Sequence, residues 1–299
     1  MDINRANLNA MFRTYLTAWQ KGLEWKPPVD LSFLFSEFPS SSASNFYAWM
    51  DMIPGFREWL GARVFNNVRS QKHEIVNRDW EDAVSMPNKD IEDDQYGIYT
   101  PIIQMMAAAW IQLKYELVIN AILDNVTSFT GSALFADDHA YGDNTIDNLT
   151  TSALSATVLQ TMFTNTAAWK FANDKYVRPN WTHLLVGAKL KTTAFNLVEN
   201  EWALTDDTAN TQARKKNPHY KKLKLVEVPD FTGDYDDYWV VVDGSMPVHA
   251  IALQIRRAPN PLMDTDPSHV ARTGQVDFMA DGRAAAGAAF PHMVYGGRL

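Results

Sequence analysis

Asp137-Asp138-His139 is the densest run of metal-ligating or acid–base side chains in this 299-residue sequence. Two carboxylates and an imidazole could hold a divalent ion or activate a water for hydrolysis, with His183 as a candidate further ligand. Three consecutive residues cannot all turn towards one centre without distortion, so a solvated loop is the favoured reading and a hydrolase the competing one. The acid pairs Asp93/Asp94 and Asp236/Asp237 sit in charged segments, without the desolvation that tunes a carboxylate for catalysis. His73-Glu74 is followed by Asn77 where the helical metalloprotease motif requires a second histidine. No phosphate-binding loop, dinucleotide-binding glycine fingerprint or nucleophile elbow is present. The absence of cysteine excludes disulfides, cysteine-held metals and thiol catalysis. The sequence therefore predicts no catalytic residue, no metal and no cofactor.

One basic run stands out: Arg214, Lys215, Lys216, His219, Lys221, Lys222 and Lys224. Between a predicted helix and a predicted strand it reads as a loop. It could meet phosphates in a salt-sensitive, sequence-independent way, or the acids at 230–237, or a neighbouring subunit; an ordinary solvated loop is favoured. The whole chain has net charge −8 and a pI near 5.3, which excludes a global basic field for gripping nucleic acid. Residues 1–150 carry 11 basic and 20 acidic side chains, the rest 16 and 15. Ten tryptophans are many for this length, and Trp19, Trp25, Trp49, Trp59 and Trp80 fall where little local core exists to bury them.

These side chains need elements to carry them. Leu8, Met11, Phe12, Tyr15, Leu16 and Trp19 recur at helical spacing and predict an amphipathic helix over 7–21, stopped by Lys26-Pro27-Pro28. Residues 63–87, charged and sparsely apolar, predict a long hairpin turning at 70–72, which alone is marginal in water. Thr100-Pro101 opens a helix running without Gly or Pro to about Asp124, some 36 Å at about 1.5 Å per residue, with an expected inward stripe at Ile102, Met105, Met106, Ala109, Leu113, Leu117 and Ile122. Gln104, Gln112, Lys114 and Glu116 argue against a membrane span there. Helices are expected over 152–171 and 190–198, and strands over 183–187, 223–228, 238–243 and 248–255. A loop is expected around Pro259, Pro261 and Pro267, then an extended stretch over 276–294. No signal peptide is visible behind Met1-Asp2-Ile3-Asn4-Arg5, so a soluble, cytoplasmically made protein is expected.

Tyr47-Ala48-Trp49, Pro54-Gly55-Phe56-Arg57-Glu58-Trp59-Leu60-Gly61 and Ile91-Glu92-Asp93-Asp94-Gln95-Tyr96-Gly97-Ile98-Tyr99-Thr100-Pro101-Ile102 resemble the major head (capsid) subunit family of Mu-type tailed bacteriophages. Gly187-Ala188-Lys189-Leu190 and the closing Asp281-Gly282-Arg283-Ala284-Ala285-Ala286-Gly287 are similar to that family's pattern as well. The resemblance implies an α+β chain with the tailed-phage major capsid fold. Its parts would be an N-terminal arm and lead-in over 1–62, an extended hairpin loop over 63–90, and a peripheral domain with a spine helix over 91–149. An axial domain over 150–255 and a return through 256–299 would complete it.

It further implies self-assembly into pentamers and hexamers of an icosahedral head around double-stranded DNA held by weak, non-specific contact. Scaffolding, portal and decoration proteins are the implied partners, with no membrane involved, in a virion assembled in the host bacterial cytoplasm. A cellular nanocompartment shell of the same fold is the alternative. Subunit contacts would then fall on Trp19, Trp25, Trp59, Arg69, Lys72, Glu74, Arg78, Asp79, Trp80, Glu81 and Asp82. Lys72, near the hairpin tip, would be the candidate for a Lys–Asn cross-link of the kind some such capsids form, but nothing identifies its partner and no cross-link is predicted.

Overall fold

The computed structural model describes residues 5–47, 73–93, 95–204, 214–264 and 266–297. Its helices are α1 (Arg5–Leu23), α2 (Asn88–Glu92), α3 (Thr100–Leu123), α4 (Ala156–Ala167), α5 (Lys191–Val198) and α6 (Pro267–Thr273). The strands of the first half are β1 (Phe35–Pro39), β2 (Ser44–Phe46), β3 (Glu74–Val76), β4 (Arg78–Pro87), β5 (His139–Tyr141), β6 (Asn144–Ile146) and β7 (Leu149–Thr150). Those of the second half are β8 (His183–Val186), β9 (Trp202–Leu204), β10 (Arg214–Lys216), β11 (Lys224–Glu227), β12 (Trp239–Val242), β13 (Ile251–Met263), β14 (Gln275–Ala288) and β15 (Val294–Gly297).

Two sheets organise the molecule, in the orders β1-β13-β14-β4 and β11-β8-β12-β15-β7. The five-stranded sheet is apolar on both faces, which is why β8 and β12 read as short continuous apolar runs. Leu185, Val240, Val242 and Val294 face one core with Tyr115, Val118, Ile119 and Ile122 of α3. Leu184, Val186, Trp239, Val241 and Tyr295 face the other, closed by Leu159 and Met162 of α4 and by Ala194 and Val198 of α5. β8, α5 and β11 make one parallel crossover unit, with Lys224 opposite His183.

The four-stranded sheet obeys a different rule. Along β14, Val276, Phe278, Ala280, Gly282 and Ala284 are buried, while the residues between them are not. That period of two puts one face on helices and one in solvent. Ile103, Met106 and Ala107 of α3 cover the inner face together with Leu8, Met11, Tyr15 and Trp19 of α1. Helix α3 thus packs its first half on one sheet and its second half on the other, and it fixes the two relative to each other. Its apolar length alone would suffice to cross a membrane, yet Lys114 pairs with Glu37 and one side of the helix packs on the two sheets.

Helix α1 approaches α3 closely because it carries a glycine. A Cβ on Gly22 would lie 2.3 Å from the Gln104 carbonyl oxygen and 2.6 Å from the Ala107 Cβ. Both belong to α3's backbone or first side-chain atom, so neither can swing away. Gly to Ala within a helix ordinarily stabilises by about 1 kcal/mol. Here Gly22→Ala is expected to destabilise by about 2 kcal/mol through overpacking, read as a Tm lowered by a few degrees; a raised Tm would contradict this helix contact.

Two expectations need correction, and a third falls largely outside the described residues. Residues 73–87 contain β3 and β4, and the expected partner limb over 63–70 lies outside the described residues. β3 pairs antiparallel with β2, and β4 pairs antiparallel with β14 over ten residue pairs, Gln275 opposite Pro87 through Ala284 opposite Arg78. Tyr47 N–H donates to the His73 carbonyl at 3.0 Å, and the expected tip at 70–72 lies outside the described residues. The loop expected around Pro259 and Pro261 is the second half of β13, which straddles the expected boundary at 255. β1 pairs with β13 only through Ile255; beyond that point no described strand lies along this edge and the register to β14 shifts, where proline's missing N–H costs no described ladder bond on that side. The expected inward stripe of α3 is rotated: Ile103, Ala107, Tyr115 and Ile119 are buried, whereas Met105 is 70% exposed.

Candidate assembly surfaces

The residues that suggested hydrolysis do not converge. Asp137 and Asp138 are exposed while His139, the next residue, is fully buried. Its Nδ1 bonds the Thr130 hydroxyl at 2.8 Å, and its Nε2 lies 3.2 Å from both the Leu134 carbonyl and the Asn148 Oδ1. His183 is stacked on Phe33 at 3.6 Å. No group of three metal-ligating side chains exists among the described residues. Asp236 and Asp237 both bind Lys189 Nζ, at 3.0 and 2.7 Å, rather than the basic run. Asp137, Asp138 and His139, the residues of the hydrolase alternative, do not face one centre.

His139 belongs instead to a buried polar joint. The Asn148 side-chain amide donates to the Leu134 and Pro291 carbonyls at 2.8 and 2.7 Å, and the Tyr141 hydroxyl bonds His292 Nδ1 at 2.8 Å. These bonds tie the loop after α3 and the β5–β6 hairpin to the segment leading into β15. Burial pushes the His292 imidazole down to about 3, with the nearby His139 adding to the effect. Burial likewise lowers His139, outweighing its bonds to Asn148 and Leu134. Sequence reading passed over this joint because its two histidines are 153 positions apart; an Asn and two His in otherwise apolar stretches were the available signal.

The residues expected at subunit contacts divide three ways. Trp19 is 2% exposed, with its ring 6.2 Å from Phe278 of its own chain, so most of its surface is covered within the subunit. The 3.6-residue periodicity of α1 showed that one face must be covered, but not by which chain; the inner face of the four-stranded sheet covers it. Trp25, just past α1, is 40% exposed. Trp59, Arg69 and Lys72 lie outside the described residues. Glu74, Arg78, Glu81 and Asp82 are exposed along β3 and β4. Asp79 pairs with Arg283, opposite it in register, at 2.5 Å. Half-buried Trp80 donates its indole N–H to the Ala284 carbonyl at 3.1 Å.

Among the described residues β4 ends its sheet, and no described strand pairs along its outer row of backbone groups. Charges at 78–82 are the usual guard of such an edge.

The basic run forms more structure than expected. β10 pairs antiparallel with β9, placing Arg214 opposite Leu204 and Lys215 opposite Ala203. Asn217 then donates to the Leu197 and Asn200 carbonyls at 2.9 and 2.8 Å, and His219 stacks on Phe163 of α4. This anchored turn presents Lys216, Lys221, Lys222 and Lys224 to solvent.

Two mixed sheets with helices packed on them, bridged by one long helix, define a class of protein when set beside solved structures. A procapsid chain of bacteriophage JBD30 matches with TM-score 0.60 at 20% identity, over 98% of this chain and 75% of that one. A Mycobacterium phage Patience chain matches with TM-score 0.53 at 11% identity, over 100% and 88%. The fold is the α+β fold of tailed-phage capsid proteins. The particular family follows from sequence: the chain belongs to the Mu-like prophage major head subunit gpT family, whose profile matches residues 8–171.

The FluMu major head subunit of Haemophilus influenzae is 31% identical over 164 residues, 54% of this chain and 53% of that protein. The major capsid protein of Escherichia phage Mu is 29% identical over 141 residues, 46% of each. The chain spans about half the length of the curated relatives it matches.

Proposed function

We propose that this chain is a major capsid subunit that self-assembles, as pentamers and hexamers, into the icosahedral head of a tailed phage and encloses double-stranded DNA. The observation that carries the reading is the membership of residues 8–171 in a head-subunit family. The four-stranded sheet with α1 and the first half of α3 would form the peripheral part, and the five-stranded sheet the axial part. Each subunit would touch several neighbours, so modest contacts suffice once a closed shell multiplies them. A net charge of −8 suits a container that must fill and empty, because a shell binding DNA tightly would hold what it has to release. Scaffolding, portal and decoration proteins would be further partners, the mature location the virion, and the site of assembly the bacterial cytoplasm.

The test is the content of particles purified from infected or induced cells. Nuclease-protected double-stranded DNA is the expected cargo. Particles that enclose only protein would overturn the head reading in favour of a cellular compartment.

A further inference from the structure

One face of α3 is left uncovered by the described residues. Ile102, Met105, Ala109, Gln112 and Glu116 recur on it at helical spacing, over about 21 Å at about 1.5 Å per residue. Met105 is 70% exposed and Ile102 39%. Towards Glu116 this face opens into a groove of about 290 Å³ between α3, β4 and β14. Trp80 and Trp110 wall the groove and Trp19 lines it; Asp82, on the same face of β4 as Trp80, and Glu116 of α3 line it as well. Trp110 lies so close over Gly282 that a Cβ there would come within 2.9 Å of its ring, so this wall is fixed. Glu116 accepts a hydrogen bond from Gln112 at 3.1 Å. Among the described residues neither the Asp82 nor the Glu116 carboxylate has a cationic partner.

Indole faces beside unpaired carboxylates suit a cation on an apolar stem, which is the chemistry of lysine and arginine. We infer that this face receives a lysine- or arginine-bearing segment of a second copy of the chain. The stem lies against Trp80 and Trp110, and the cation sits beside Asp82 and Glu116. Charge complementarity favours a second copy as the occupant. Residues 1–150, which hold most of the groove, carry 20 acidic against 11 basic side chains. The same chain exposes Lys216, Lys221, Lys222 and Lys224 elsewhere, with no ion pair to any of them among the described residues. A groove on one copy and a cation-bearing surface on the next make a heterologous contact, which propagates round a ring instead of closing as a dimer. The inference rests on the self-assembly reading and deepens it.

Two measurements test it. Asp82→Lys replaces an exposed side chain with no cationic partner among the described residues, so the subunit should keep its wild-type Tm. It should nevertheless need about tenfold more protein to assemble, as expected for losing an ion and cation–π contact worth about 1.4 kcal/mol. A photo-reactive benzoylphenylalanine at position 105 in assembled particles should link to another copy through a peptide that contains lysine or arginine. Assembly of Asp82→Lys at the wild-type concentration, or links confined to the same chain or to segments without lysine or arginine, would overturn the inference while leaving the head reading intact. Failure of the wild-type chain to assemble at all would instead remove the head reading, and this inference with it.

Discussion

Phe278→Ala is expected to cost about 3–5 kcal/mol and to release α1 from the body of the subunit. Phe278 is fully buried on β14. The rings of Phe12, Tyr15 and Trp19, all on α1, approach it at 6.3, 5.9 and 6.2 Å, with Tyr15 edge-on. Removing the ring takes away the one side chain that three aromatics of α1 share, and leaves a void that helix packing cannot collapse into. Urea unfolding of the unassembled variant should show the loss directly. Proteolysis should cut within residues 5–30 under conditions that spare the wild type. If α1 finds its burial on a neighbouring subunit rather than on its own sheet, the unassembled variant would instead match the wild type in both measurements.

Acid is expected to loosen the subunit between about pH 6.5 and pH 5. In the native state His292 is held neutral, its pKa pushed down to about 3, while in an unfolded chain it would protonate near pH 6.5. The unfolded state therefore binds more protons throughout that interval. Stability is fully present above about pH 6.5 and falls as the pH drops, by about 1.4 kcal/mol per unit for His292 once the pH is well below 6.5. His139, His73, His183 and His219 are also shifted down by burial and act in the same direction. The measurement is urea unfolding free energy at pH 7, 6 and 5, before most carboxylates begin to titrate. His292→Gln should reduce the slope by roughly one proton's worth whatever it does to the stability at pH 7. Equal stability at pH 7 and pH 5, or an unchanged slope in the variant, would contradict the assignment of a buried neutral joint.

What was legible in the sequence follows from how far each element's partner lies along the chain. Helix α3 was visible almost to the residue because Pro101 marks its start and no breaker interrupts it. β8 and β12 were visible because strands buried on both faces are compact apolar runs, and β11 because its apolar residues are interspersed with charged ones. β4 was visible as a strand, but its partner β14 begins nearly 190 residues later, and nothing in a charged segment names a distant partner. The second half of β13 was hidden by its prolines, which stand where no described strand pairs along its other edge. The covered face of α1 was legible and the chain that covers it was not.

The same limit applies to the candidate surfaces. Trp80, Glu81 and Asp82 drew attention as an aromatic residue among charges on a weak strand. Trp110, which completes the groove with them, lay within a helix whose inward stripe had been set one residue out of phase. The signal was there: an indole at position 110, amid small apolar residues, needs a platform, and Gly282 provides it.

Electron microscopy of the purified full-length chain tests the central claim most directly. Closed, uniform particles whose surface lattice resolves into five- and six-membered clusters are the expected result. A population that stays as single subunits across the concentration and salt range of the experiment would contradict the account.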